Sequence, residues 1–253
     1  MTYSRMSLSV QPVHLFFSFL LIVPGSFSAV TAQNTKSIGG TTAIGTAQTI
    51  GKVGNTVAVE LKVAGPSGQK TPLQIACLFE YTEGDIFNSP PALPASVNGM
   101  VHLDQALHGL ITEVRKSGRF QGHALETLLI TPSPGVIPAT KLLLIGLGDR
   151  TKFTPELMKQ VTTVGYREAS RLGVDSYSQA SDLKDAGIDS PTTEVAKQII
   201  DGLSAAYQTQ LYLYQHKLSS PSPVRKLTIL AGPAFFDITK QGLTDALINL
   251  SQN

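Results

Sequence analysis

One stretch limits the folds open to this chain more than any other. Lys141 to Leu147 (KLLLIGL) is a continuous apolar run that leads into glycines and then into a helix start. A short apolar run bounded by turn residues fits a strand buried on both faces, and such strands lie in sheets covered by helices on either side. It is the most hydrophobic strand candidate after the N-terminal region and is expected to be central in the sheet.

The segments around it alternate in kind. Thr56 to Ala64 (TVAVELKVA) alternates apolar and polar residues as a half-buried strand does, and Gly65-Pro66-Ser67-Gly68 ends it as a turn. Leu73 to Phe79 is a second, more continuously apolar strand. Leu103, Leu107, Leu110, Ile111 and Val114 fall at helical spacing, which predicts one amphipathic helix over 101–117 with Gly118 as its C-terminal cap. Thr127 to Thr131 is a short strand. Thr154-Pro155-Glu156 opens the next helix, whose stripe is Met158, Val161, Gly165, Ala169 and Leu172. The polar stretch from Asp175 to Asp189 fits one strand plus a loop. A helix follows Ser190-Pro191, with Val195, Ile199, Leu203 and Ala206 on one face. Val224 to Ala231 is a last strand, and a terminal helix runs from Asp237 to Leu250. Strands alternating with helices predict an α/β domain on a mixed central sheet flanked by helices.

The N-terminus has a different character. Arg5 without a nearby acid, the apolar run Leu15 to Val23, the break at Pro24-Gly25 and the small residues of Val30-Thr31-Ala32 form the three-part pattern of a secretory signal peptide. The run is too short for a stable membrane-spanning helix. Residues 1–32 are therefore expected to be an export signal, with the mature chain starting near Gln33 and reaching the periplasm or the exterior without a membrane anchor. Residues 33–54, rich in Thr, Gly, Ala and Ser, are expected to be a flexible lead-in to a domain over 55–253.

Composition excludes several classes of function. The net charge of +2 is spread without a basic stripe, so no nucleic-acid surface is expected. Cys77 is the only cysteine, which rules out an intrachain disulfide and a cysteine-based zinc site. It lies in an apolar run and is expected to be a buried structural thiol. The five histidines, at 14, 102, 108, 123 and 216, show no metal-binding spacing. Ser181-Asp182-Leu183-Lys184 matches a Ser-x-x-Lys pattern but lacks the companion motifs of the hydrolases that use it. Asp182, Asp185 and Asp189 are spaced unlike the cages that hold hard cations, and a solvated loop is the expectation. Gly146-Leu147-Gly148 follows a strand and precedes a helix, where backbone N–H groups cradle phosphate in other proteins. The dinucleotide fingerprint needs a third glycine, and Thr151 stands there. Gly146 and Gly148 are thus the sole cofactor-site candidates. No catalytic residue, resident metal or bound cofactor is expected.

The ordered series from Leu103 to Gly165 resembles the N-terminal domain of the leucyl (cytosol) aminopeptidase family. It comprises a helix beginning Leu103-Asp104, the Gly118 to Gly122 turn, the Glu126-Thr127-Leu128-Leu129 strand, a proline loop, and the LLLIGLG strand with its charged turn and helix. The helix from Val195 to Lys217 and the strand from Lys226 to Ala231 fit more loosely, so the resemblance covers roughly 55–235. It implies a macro-like, three-layer fold. In the full-length enzymes this domain precedes a catalytic domain that holds two divalent metals through a Lys, several Asp and a Glu, and carries an Asn-Thr-Asp-Ala-Glu-Gly-Arg-type run. No such run occurs in these 253 residues, so no family metal or catalytic residue carries over.

The expectation is a non-catalytic, exported binding or assembly domain, with a protein partner or a second copy of itself. Leu243, Leu247 and Leu250 are candidates for the contact, unless they fold back on the domain. Part of a metalloaminopeptidase completed by a separate catalytic subunit is the first alternative. A nucleotide- or ADP-ribose-binding module is the second.

Overall fold

The strand over Val57–Val63 (β2) carries out its alternation literally: Val57, Val59, Leu61 and Val63 are buried and the residues between them are half-exposed. The computed structural model describes residues 41–85, 93–180 and 183–252. The expected export signal, residues 33–40 of the expected lead-in, and Ser181 and Asp182 lie outside them.

In chain order the remaining elements are β1 (Ala47–Val53), β3 (Leu73–Leu78), α1 (Gly99–Ala106), α2 (Leu110–Lys116), β4 (Thr127–Ile130), β5 (Lys141–Gly146), α3 (Leu157–Arg171), β6 (Ser176–Ala180), α4 (Thr192–Gln215), β7 (Lys226–Ala231) and α5 (Phe236–Gln252). The strands form one seven-stranded sheet in the order β1-β2-β7-β6-β3-β5-β4. The five inner strands are parallel and both edge strands are antiparallel to their neighbours. Helices α3, α4 and α5 cover one face, packing on Val59, Leu61, Ile75 and Ile229. Helices α1 and α2 cover the other, on Ala76, Leu78, Leu142 and Leu144. This is the expected three-layer α/β fold with a mixed sheet.

Three expectations need correction. The lead-in expected over 33–54 ends in a strand: β1 pairs with β2 around a bulge at Thr49/Gly51. Its residues are mostly exposed or half-exposed, as an edge strand's are, so no apolar pattern marks it. The helix expected over 101–117 is two helices. His108 (φ +56°) and Gly109 (φ +81°) turn the chain in left-handed conformations between them. Asp104 holds the corner by accepting from the N–H groups of Ile111 (2.9 Å) and Thr112 (3.2 Å) at the start of α2.

The third correction concerns the middle of the sheet. β5 is an inner strand, but β6 occupies the centre. Burial on both faces makes any inner strand apolar, so hydrophobicity could not rank them. β6 is buried with a polar sequence because its side chains find partners. Ser178 donates to Gln74 on β3 (2.6 Å), and Gln179 donates to Thr162 on α3 (3.1 Å). A buried polar group is tolerated when hydrogen-bonded.

For α5 the sequence left two possibilities, a partner or packing back on the domain, and the leucines pack back: Leu243 is fully buried, and Leu247 and Leu250 pack against the same core, closing the domain over α4 and β1.

Candidate functional site

The Gly146-Leu147-Gly148 turn has an internal job. The N–H of Gly146 donates to Glu126 O (2.8 Å), that of Leu147 to Leu78 O (2.7 Å) and that of Gly148 to Gly122 O (2.8 Å). All three donors that a phosphate would need point into the protein. The glycines are required by proximity. A Cβ on Gly146 would sit 1.9 Å from the carbonyl oxygen of His123, and Gly148 is left-handed at φ +73°. The turn stitches the 121–126 loop to the end of β5. As folded, Gly146 and Gly148 present no cradle.

The candidate site lies elsewhere, at the C-terminal ends of β2, β7 and β6. Open parallel sheets place ligands outside the carboxyl ends of their strands, because the connecting loops diverge there. Here the ends are Val63, Ala180 and Leu230-Ala231. The loops starting at Gly65 and Gly232, the turn Ala95–Val97 and the first turn of α1 wall in a cleft of about 200 Å³. Its lining is mostly apolar. Ile44 (82% exposed) and Val97 (62%) stand at its rim, among the most exposed large apolar residues described.

Its polar members are few. Asn98, fully buried beside it, caps α1 by accepting from Met100 N (2.9 Å) and Val101 N (3.1 Å), and its amide donates to Asp185 O (3.0 Å). This ties the 183–187 turn to α1. The Asp185 carboxylate lies over that helix start: a Cβ on Gly99 would be 3.1 Å from Asp185 Oδ2. Ser96, His102 and Asp185 all line the cleft. They are the residue types of a nucleophile, base and acid, but that chemistry needs a hydrogen bond from the Ser to the His. Among the described residues none joins Ser96 to His102.

The other sequence candidates are scattered. Cys77 is buried on β3, and burial, with a lesser contribution from the Asp185 charge, pushes its thiol up to about 12. His123 meets Glu80 at 2.8 Å on the surface, His216 meets Tyr212 O at the end of α4, and His108 sits in the α1–α2 corner. His14 lies outside the described residues. Lys184 pairs with Asp189, and Ser181 of the Ser-x-x-Lys pattern lies outside the described residues. Among the described residues, no group of three His, Cys, Asp or Glu side chains is placed to hold a metal ion.

Sequence reading missed a buried ionic cluster altogether. Arg115, 1% exposed in its side chain, reaches Asp85 through both terminal nitrogens (3.0 and 2.5 Å) and Phe79 O (2.8 Å). Arg150 joins the same carboxylate at 3.2 Å. Arg115 stood in a charged run at the end of a helix, the usual mark of a solvated face, and nothing in that pattern signals burial.

A seven-stranded mixed sheet between two helical layers, with its cleft at the strand ends, is a macrodomain-like architecture. A macrodomain from Oceanobacillus iheyensis, solved with MES bound, superposes with a TM-score of 0.50 at 12% identity, covering 81% of this chain and 98% of that one. The family model of the cytosol aminopeptidase family, N-terminal domain, matches residues 87–214, and the chain belongs to that family through this domain. A probable cytosol aminopeptidase of Syntrophotalea carbinolica is 32% identical over 129 residues, 51% of this chain and 25% of that protein. One of Roseiflexus castenholzii is 30% identical over 141 residues, 55% and 28% of the two chains. The chain thus spans about a quarter of the length of these relatives.

Proposed function

We propose that this chain is a non-catalytic, exported binding domain of the cytosol aminopeptidase family, and that its ligand occupies the cleft at the ends of β2, β7 and β6. The observation that carries the reading is the cleft itself: concave, largely apolar, rimmed by exposed Ile44 and Val97, with few polar groups. That combination is the usual chemistry of a small-ligand site. The unlinked Ser96 and His102 support a binding role over a nucleophilic one. Export is supported by the three-part pattern of residues 1–32. For assembly, the end of α4 exposes Tyr212, Tyr214 and Leu218, and interfaces are enriched in aromatic residues.

The chain contains no tryptophan, so Val97→Trp would install a single indole at the rim. Its emission should shift to the blue and saturate when an apolar ligand enters, and the same titration of an Ile248→Trp control on exposed α5 should not. An indole at position 97 blind to every apolar probe would remove the cleft as the site. Export is tested by fractionation and N-terminal sequencing, with a mature start near Gln33 expected.

The second reading, part of a metalloaminopeptidase completed by another polypeptide, is favoured by one observation. The relatives matched are named probable cytosol aminopeptidases, and this chain spans only a quarter of them. It requires metal-dependent peptidase activity that co-purifies with this chain and separates from it with a second protein. The nucleotide reading has lost its one sequence support, since the N–H groups of the Gly146 turn are already bonded.

A further inference from the structure

We infer that a second pocket, at the opposite end of the sheet from the cleft, binds a small aromatic carboxylate, with its ring against Tyr207 and Tyr214 and its charge on Arg225. The inference does not depend on the cleft reading. β2 and β7 run parallel. The cleft opens where they end, at Val63 and Ala231, and this pocket opens where they begin, at Thr56 and Val224-Arg225. The last turns of α4 and the 219–225 segment complete it. Its volume of about 190 Å³ is below the ~300–1,000 Å³ of pockets that enclose drug-sized ligands, so it takes one ring with a short polar group.

The walls are aromatic. Tyr166, 1% exposed, forms the floor, its hydroxyl beside Ser170 and Ser222, which bond each other at 2.8 Å. Tyr207 is seated over Gly54, where any side chain would collide with its ring. Tyr214, 48% exposed, stands at the rim. Aromatic rings pack on one another with a gain beyond the area they bury. The pocket is also built in the empty fold. Gln210 holds the 219–225 segment to α4 by donating to Ser219 Oγ (2.9 Å) and Ser220 O (3.0 Å), and Pro221 and Pro223 stiffen that segment.

Charge sets the ligand's sign. Arg225 is the one lining residue with a formal charge. Its Nη1 donates to Ser222 O (2.7 Å) and Val224 O (3.1 Å), which fixes the guanidinium at the pocket's edge. Nε and Nη2 remain, the side of the group that takes a carboxylate through two parallel N–H bonds. Among the described residues no acid pairs with Arg225. Asp175 is close, since its carbonyl accepts from Arg225 N (2.7 Å), but its carboxylate accepts from Ser176 Oγ (2.9 Å). A cationic ligand would find no counter-charge among the lining residues.

The test uses four probes: benzoate, benzyl alcohol, benzylamine and cyclohexanecarboxylate. Each is titrated into the ¹⁵N-labelled full chain while the amides of Thr56, Gln210 and Arg225 are followed. Benzoate should bind about fivefold tighter than benzyl alcohol, the upper end for an ion pair open to water, and the gap should narrow in high salt. It should bind about twofold or more tighter than cyclohexanecarboxylate, the share of ring-on-ring packing. Benzylamine should be weakest. Arg225→Gln should bring benzoate down to the alcohol with the alcohol unchanged, and Tyr214→Ala should weaken both. Lys70→Gln, which removes an exposed charge outside the pocket, should change neither. The amides of Val63 and Gly232 at the cleft should stay still. The inference is overturned if benzoate binds no tighter than the alcohol, the amine or cyclohexanecarboxylate. It is equally overturned if no probe moves the pocket amides, or if Arg225→Gln binds benzoate as the parent does.

Discussion

Asp85→Ala would strip Arg115 of its counter-charge, and the structure sets the size of the effect. Arg115 is 1% exposed in its side chain and makes two of its three side-chain hydrogen bonds to Asp85. What would remain is Phe79 O and the face of Tyr81, 5.4 Å from the guanidinium. Removing one partner of a buried pair costs about 3–5 kcal/mol, chiefly because a charge is left unpaired in low dielectric. Arg150, 23% exposed, can regain water and adds little. For a domain of this size each kcal/mol lowers Tm by about 2–4 °C, so a fall of roughly 6–20 °C is expected. Thermal and urea unfolding of the full chain, followed by circular dichroism, measures it. Lys116→Ala is the control: Lys116 pairs with Glu83 in the open and should show no resolvable change. The double variant Asp85→Ala/Arg115→Met should recover most of the loss. If Asp85→Ala unfolds like the Lys116→Ala control, the burial argument is refuted.

Three other outcomes follow from the same geometry. Gly146→Ala should yield little folded protein, because its Cβ would meet backbone at 1.9 Å, whereas Gly148→Ala should fold with a loss of about 1–2 kcal/mol for a left-handed alanine; soluble yield and urea midpoints separate the two. The Cys77 thiol should resist a disulfide reagent in the native state and react on unfolding. Its pKa is raised in the fold to about 12, so the native state keeps a proton that the unfolded state loses above about pH 9. Its contribution should therefore lower stability as pH rises from 9 toward 12, by at most ~1.4 kcal/mol per unit, and Cys77→Ala should flatten that decline. Leu243→Ala should cost about 2–5 kcal/mol as a core truncation, while Ile248→Ser on the exposed side of the same helix should be near neutral in urea unfolding.

How much the chain discloses before folding depends on which physical signal each part leaves. β2, β3, β5 and β7 were legible because apolar runs and alternation mark burial directly. β1 left no mark because an edge strand half in water needs no apolar pattern. β6 was obscured by the reverse situation, a buried strand whose Ser178 and Gln179 are satisfied by Gln74 and Thr162 over long sequence distances. The stripe from Leu103 to Val114 stayed in phase across a corner, so periodicity could not reveal that His108 and Gly109 break it. The leucines of α5 were legible as a face, but what the face meets is a tertiary fact.

The site was less legible than the fold. Gly146 and Gly148 carried the local signature of a phosphate turn, and only the positions of Leu78, Gly122 and Glu126 show that the donors are taken. The cleft draws on the ends of three strands and on loops up to almost 200 residues apart in the chain, from Ile44 to Phe235. Asp185 reads in the sequence as one of three loop acids, and its place beside the start of α1 appears only where Asn98 fastens that turn to the helix.

The account stands or falls on whether this chain binds without catalysing. The most direct measurement is hydrolysis of leucine p-nitroanilide by the purified full chain with added manganese or zinc. The expected rate equals that of buffer with the same metal at every protein concentration. Metal-dependent turnover that scales with this chain and survives repurification would contradict the account.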